Sequence, residues 1–176
     1  GKRNLHLESL ERRQLLAELA SIGLEVTTLA GTPISTLAIG QEYYLKAYVQ
    51  DTREVDAEGV TAAFFDVAVN DNGLLSIEDQ PGALSGLLFS PEYPLARIGT
   101  NLIETLASEF DEVGAATIAS HGSAQTPFFQ VKFTADAEGE LTFTTNPADL
   151  LGNLFVLQGH GTIDAEDIVF GSVTVN

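Results

Sequence analysis

The sequence contains no cysteine, and only eight of its 176 residues are lysine or arginine. The absence of cysteine excludes disulfide frameworks, CxxC redox motifs and cysteine-ligated zinc. No apolar run approaches the roughly 20 residues that a membrane-spanning helix needs. Nucleotide-binding fingerprints are also missing, because Gly159-His160-Gly161 lacks the third glycine of the GxGxxG pattern and no P-loop is present. A chain of this length is expected to form one domain with a substantial core.

The scarcity of basic residues leaves an acidic chain with 25 aspartates and glutamates and a net charge of −17. The first 13 residues carry four basic and two acidic side chains, a net charge of +2, whereas the rest carry four basic and 23 acidic ones, a net charge of −19. Such a body repels phosphate backbones and anionic lipid, which argues against a nucleic-acid partner. Cations, basic protein patches and neutral glycans are the partners that this charge allows. The hydrophobic content of 44% is typical of a folded chain.

Residues 5–22 have the periodicity of an amphipathic helix of about four turns. Glu8 and Arg12 form a favourable i,i+4 pair. The apolar residues recur at spacings of three to five: Leu7, Leu10, Leu15, Leu19 and Ile22. The sequence therefore predicts a helical leader segment, residues 1–22, before a domain that covers residues 23–176.

After Gly23 the apolar period changes from 3.6 to 2, which predicts strands. Glu42–Gln50 alternates between apolar and polar positions, and Val60–Val69 is largely apolar on both faces, as a central strand would be. Residues 101–113 favour strand or irregular structure over helix. Further strand patterns are Phe129–Ala135, Leu141–Phe143, Ile168–Phe170 and Val173–Val175. Short strands separated by turn residues predict an all-β, antiparallel sandwich of jelly-roll character.

Three segments of this pattern resemble the cohesin family, whose nine-stranded sandwich modules bind dockerin domains in cellulosomes. In the first segment, Asn70 and Asn72 stand where the family has tyrosine and proline. The segments are Phe65-x-Val67-x-Val69 with Asp71-x-x-x-Leu75-x-Ile77, then Phe129-x-Val131-x-Phe133-x-Ala135 with Gly139-x-Leu141-x-Phe143, and finally Gly171-x-Val173-x-Val175. The resemblance spans roughly residues 24–176 and implies a cohesin-like sandwich.

The segment Leu10-Glu11-Arg12-Arg13-Gln14-Leu15-Leu16 resembles the Leu-Glu-x-Arg-x-Leu-Leu motif that opens large secreted surface proteins of some environmental bacteria. Arg12 stands where that motif has proline. Cohesin-like modules often follow such a leader. Together the two resemblances imply an exported bacterial polypeptide, extracellular or on the cell surface, with further domains after residue 176.

No catalytic constellation is identified, and we expect the chain not to be an enzyme. The histidines are His6, His121 and His160, and the glycines beside the last two are typical of exposed turns. No G-x-S-x-G elbow surrounds a serine. The acidic clusters are Glu109, Asp111 and Glu112, and Asp164, Glu166 and Asp167. Their loop-like surroundings predict solvated carboxylates rather than a glycosidic acid–base pair.

Ligand-binding positions are left open by the sequence. Asn70–Gly73 offers oxygen ligands of the kind that Ca²⁺ takes, but it lacks the EF-hand spacing and an ordinary turn explains it. Ca²⁺ is therefore a candidate cofactor without a named site. Asp66 is either a buried carboxylate satisfied by backbone donors or a contact in a recognition face. Tyr44, Lys46 and Tyr48 form an outward stripe that either packs under a loop or the leader, or makes a platform for a sugar or a protein.

These observations predict a non-catalytic, cohesin-like interaction module. It would use a sheet face or the rim loops to hold a dockerin-type protein or a polysaccharide. A structural spacer in a long surface protein and a secreted hydrolase are the alternatives.

Overall fold

The computed structural model describes residues 18–97, 100–101, 109–148 and 155–176. Within these ranges the chain forms 14 strands and two short 3₁₀ helices, Asn72–Leu74 and Ala165–Asp167. No helix in the described ranges is long and apolar enough to cross a membrane. The strands are β1 (Ala20–Thr28), β2 (Glu42–Asp51), β3 (Val60–Val69), β4 (Leu75–Ile77), β5 (Leu87–Phe89), β6 (Leu95–Arg97), β7 (Thr100–Asn101), β8 (Glu109–Ala116), β9 (Thr126–Ala135), β10 (Leu141–Pro147), β11 (Phe155–Leu157), β12 (Gly161–Ile163), β13 (Ile168–Phe170) and β14 (Ser172–Val175).

The strands form two sheets. The first sheet has the order β13-β1-β2-β9-β4, and β5 pairs with β9 on the same side as β4. In the second sheet, β3 pairs with β8 on one side and with β10 and β11 on the other; β12 and β14 extend it beyond β11 and β10, and β6 and β7 pair with β8. Every pair is antiparallel except β1 with β13. The predicted antiparallel β-sandwich is confirmed.

The core lies between the sheets and is formed by alternate residues of each strand. On β2 the buried positions are odd-numbered, as the alternation predicted, and they include Leu45 and Val49. β3 is the central strand that its doubly apolar sequence indicated, since it has strands on both sides. Phe65 packs against Phe128 with ring centroids 5.4 Å apart. Full burial of a side chain of this size contributes roughly 1.5–3 kcal/mol to stability.

The N-terminal prediction needs one correction. β1 begins at Ala20, so Ala20–Ile22 are extended rather than helical, and the strand crosses the boundary predicted between residues 22 and 23. Ala20 pairs with Asp51 of β2 and with Ile168 of β13. Backbone hydrogen bonds to two neighbouring strands outweigh the weak helical period of the last residues. Glu18 and Leu19 are not helical either, and residues 5–17 of the predicted helix, with the Leu-Glu-x-Arg-x-Leu-Leu motif, lie outside the described residues.

Candidate functional site

The outer face of the second sheet carries a row of short, uncharged side chains across five strands. Thr162 of β12 lies opposite Val156 of β11, and Val156 lies opposite Ala62 of β3. Ala62 lies opposite Ala116 of β8, which in turn lies opposite Leu95 of β6. We call the following residues the bare face: Ala62, Phe64, Leu95, Gly114, Ala116, Ile118, Val156 and Thr162.

Two large apolar side chains of the bare face are exposed to solvent. Leu95 is 66% exposed, and Ile118, two residues beyond Ala116, is 96% exposed. The neighbouring side chains at Ala62, Ala116 and Val156 are half-buried and apolar, so the exposed pair belongs to a continuous patch. Contiguous apolar surface of this kind marks interaction sites on proteins.

Phe64 and Gly114 leave the bare face without a protruding side chain at one position of β8. The two residues lie opposite one another on β3 and β8. A Cβ atom placed on Gly114 would lie 2.1 Å from Cδ1 of Phe64, so the ring covers the space that a side chain at Gly114 would occupy. The Phe64 ring therefore lies over Gly114, at a position where another residue would have its own side chain.

A β-bulge beside the bare face collects three carboxylates. Phe65 pairs with Val113 and Val67 with Phe110, so Asp66 alone faces both Asp111 and Glu112 on β8. This two-against-one arrangement is a bulge, in which one residue often takes an unusual backbone conformation, and Glu112 has φ +56°. One carboxylate oxygen from each of the three lies within 4.8 Å of the others.

The bulge determines how far the carboxylates of Asp66, Asp111 and Glu112 are buried, which the sequence could not show. Asp66 is 2% exposed and accepts a hydrogen bond of 2.8 Å from the backbone N–H of Glu112, so of the two alternatives that the sequence left open, the buried carboxylate with a backbone donor is the one observed. Glu112 is also 2% exposed and Asp111 is half-buried, so the expectation of solvated carboxylates is wrong here. The cluster supplies three of the roughly six to eight oxygen ligands that Ca²⁺ takes.

The outer face of the first sheet is charged. Lys132 Nζ lies 2.6 Å from Glu42 Oε1 and 2.8 Å from Glu78 Oε2. The hydrogen bonds to Glu42 and then Glu78 raise the pKa of Lys132 above its ordinary value. On the next strands, Tyr48 Oη donates to Glu25 Oε2 at 3.3 Å. We call the following residues the charged face: Glu25, Glu42, Lys46, Tyr48, Glu78 and Lys132.

The stripe of Tyr44, Lys46 and Tyr48 lies on this outer face, and its members are half-buried. Burial, followed by the charge of Glu25 and the hydrogen bond to it, raises the pKa of Tyr48. Lys46 and Tyr48 line a groove of about 310 Å³ whose other wall is the segment Leu88–Pro91. We call this cavity the sheet groove.

His121 lies at one end of the sandwich and differs from its prediction. Its side chain is only 10% exposed, so the expected exposed turn is wrong, whereas His160 is exposed as predicted. The His121 ring packs 5.4 Å from the ring of Tyr93, and its Nδ1 lies 3.8 Å from Glu92 Oε2. The hydroxyl of the adjacent Ser120 donates to the carbonyl of Glu58 at 2.6 Å rather than to His121. His6 lies outside the described residues.

The other two candidate segments have structural roles. The Asp71 carboxylate accepts a hydrogen bond of 2.8 Å from the Gly73 N–H and so caps the short 3₁₀ helix Asn72–Leu74. In the acidic cluster near the C-terminus, Asp164 and Glu166 are exposed, as expected of solvated surface, and Asp167 is half-buried. Asp164 is the N-cap of the second 3₁₀ helix, Ala165–Asp167, and Glu166 and Asp167 lie within it.

Solved structures similar to this one include several cohesin modules. The module of a family 33 glycoside hydrolase from Clostridium perfringens has a TM-score of 0.63 at 9% identity, covering 91% of this chain and 97% of that one. A type III cohesin module from a cell-surface anchoring scaffoldin of Ruminococcus flavefaciens has a TM-score of 0.56 at 13% identity, covering 90% and 89%.

A type II cohesin–X-dockerin complex from Acetivibrio cellulolyticus has a TM-score of 0.58 at 9% identity, covering 89% of this chain and 97% of the matched chain. No protein-family model and no curated protein matches the sequence. The agreement is therefore one of fold: the chain is a cohesin-like β-sandwich.

Proposed function

We propose that the chain is a non-catalytic, cohesin-type binding module that holds a dockerin-type protein on the bare face. The observation that carries this proposal is the uncharged row across five strands, in which Leu95 is exposed, with Ile118 exposed beside it. The similar modules support the choice of partner, since one of them was solved in complex with an X-dockerin.

The shape of the bare face suits a protein better than a small ligand. Its five strands, about 4.8 Å apart, make a surface about 19 Å wide. The width of an α-helix with its side chains is about 10–12 Å, so one or two helices fit across it. The centre of a protein interface is depleted of charge and rich in apolar contacts, as this row is.

The acidic remainder of the chain complements this arrangement. A net charge of −17 attracts a partner with a basic rim and speeds its encounter, while the uncharged row avoids desolvating charges in the contact itself.

For location, we propose the extracellular space or the cell surface. The Leu10–Leu16 motif and the cell-surface scaffoldin that carries one similar module support this.

The test is binding to a panel of purified dockerin modules, including those encoded in the source genome, with Ca²⁺ and with chelator. Ala116→Arg places a long charged side chain in the middle of the bare face, and we expect it to weaken binding at least 100-fold. Ser76→Arg adds the same charge on the exposed Ser76 of β4, in the first sheet, and should leave binding unchanged. Thermal unfolding of each variant checks that the fold is retained.

Two results would contradict the proposal. If both arginine variants lose binding equally, the partner does not use the bare face. If the folded wild-type chain binds no dockerin, the structural spacer becomes the better account of this module.

A further inference from the structure

We propose that the sheet groove is a second binding site, on the opposite side of the sandwich from the bare face, for a short neutral oligosaccharide. The groove crosses three adjacent strands, β2, β9 and β5. Its volume of about 310 Å³ lies at the lower end of the roughly 300–1,000 Å³ typical of small-ligand sites. A site of this size suits a few sugar rings rather than a protein domain.

The lining combines apolar surface with free hydrogen-bonding groups. Leu88, which is 37% exposed, and the exposed Pro127 supply apolar surface for the C–H face of a sugar ring. Beside them, no hydrogen bond within the described part of the chain engages the Gln130 amide. A primary amide both donates and accepts, which is what a sugar hydroxyl requires of its partner.

Lys46 adds a second free donor. The other two basic side chains that the structure describes, Arg53 and Lys132, each have a carboxylate oxygen at 2.6 Å. Lys46 has no carboxylate oxygen within 4.0 Å in those ranges, although Glu25 lies opposite it on β1. Glu25 instead accepts the hydrogen bond of Tyr48. The Lys46 ammonium stands 3.7 Å from the position that a Cβ on Gly31 would take, free of any ion pair with the described residues, and its flexible stem allows it to turn its three donors towards a ligand in the groove.

The class of ligand follows from the backbone and the charge. β2 and β9 are paired on both sides, so an extended peptide could add only at the outer edge of β5, on the far side of that strand from the base of the groove. A polyanionic glycan is repelled by the net charge of −17, which one lysine does not offset. A neutral oligosaccharide satisfies the donors without meeting this repulsion.

The test titrates the full chain with cellohexaose, xylohexaose and mannohexaose and follows backbone amide NMR signals. We expect at least one of the three to shift the signals of Lys46, Leu88 and Gln130. Gln130→Ala should weaken that binding at least fivefold, and Lys46→Met should weaken it as well. The matched control is Gln50→Ala, which removes the same amide from β2 at a position that does not line the groove.

Three results would overturn the inference. One is that no neutral oligosaccharide shifts the groove signals. Another is tighter, salt-sensitive binding of a hexagalacturonate, which would make the ligand an anionic glycan. The third is equal loss of binding in Gln130→Ala and Gln50→Ala. Ala116→Arg, the bare-face variant, should still bind the oligosaccharide. The experiments therefore test this site and the proposed dockerin site independently.

Discussion

The two outer faces of this sandwich arise from the same alternation of side chains along the strands, but they differ in charge. On the charged face, Lys132 bridges Glu42 and Glu78 in solvent. The bare face has only uncharged side chains in its row, and the carboxylate of Asp66 beside it is buried and hydrogen-bonded to the backbone. A chain with 25 acidic residues has thus kept carboxylates out of this row, and the charged residue that pairs with a member of the bare face, Arg97 opposite Gly114, is basic.

Stability does not explain this difference. Exposed ion pairs contribute only about 0–1 kcal/mol, so a face without them gains little, and exposed Leu95 and Ile118 reduce solubility. An apolar surface maintained at such a cost is best explained by a partner that covers it. The comparison also predicts that a buried carboxylate stabilises the fold more than an exposed one. Two of the following three substitutions test this, and the other tests the packing of the bare face.

The largest effect is expected from Asp51→Asn, because Asp51 is 1% exposed and bonded on several sides. Its carboxylate accepts hydrogen bonds from the Arg53 side chain at 2.6 and 2.9 Å and from the Gly59 N–H at 3.0 Å. Breaking a buried pair costs on the order of 3 kcal/mol. We expect a loss of this size in the free energy of unfolding at neutral pH, measured with urea.

The pH dependence of this loss identifies its cause. Burial alone raises the pKa of Asp51, but the hydrogen bonds from Arg53 and Gly59 and the charge of Arg53 together hold it below its ordinary value of 3.8. A lowered pKa stabilises the fold above pH 3.8, and this contribution is lost as the pH falls through the lowered value. The difference between wild type and Asp51→Asn should therefore shrink in acid, and a constant difference would contradict this account.

A smaller loss is expected from Gly114→Ala on the bare face. Gly114 is not among the residues with positive φ, so the substitution costs stability through the Phe64 ring that occupies the site of the new Cβ. Overpacking of this kind costs about 1–3 kcal/mol. In a Phe64→Ala background the same change should cost much less, as a double-mutant cycle of unfolding free energies would show. Equal costs in the two backgrounds would mean that the ring readily moves aside.

The smallest effect is expected from Lys132→Gln on the charged face. Hydrogen bonding to Lys132, followed by its charge, lowers the pKa of Glu78 below its ordinary value of 4.5. That contribution to stability is present above pH 4.5 and is lost as the pH falls through the lowered value. The variant should lose a little stability near neutral pH, less in high salt, and the pKa of Glu78 should rise in an NMR titration. If Lys132→Gln lowered the free energy of unfolding as much as Asp51→Asn, the prediction that buried carboxylates stabilise the fold more than exposed ones would be wrong.

The sequence predicted the outward side chains of the first sheet well, because Tyr44, Lys46 and Tyr48 belong to a regular alternation within β2. It was less informative where two distant strands meet. Asp66 was left undecided and Glu112 was expected in solvent, because the bulge that buries both depends on how β8 pairs with β3. For His121, the flanking glycine suggested exposure, but Tyr93, from a distant loop, covers the ring.

The sequence by itself determined the class of fold and the side of each long strand that faces the core, because a period of two is a local property of the chain. It also determined the acidity that argues against anionic partners. Only the tertiary structure decided which strands are neighbours, and with them the bare face, the carboxylate bulge and the sheet groove. These sites are built from residues as far apart in the chain as Ala62 and Val156, whose meeting depends on strand register, and register is set by packing of the whole sandwich.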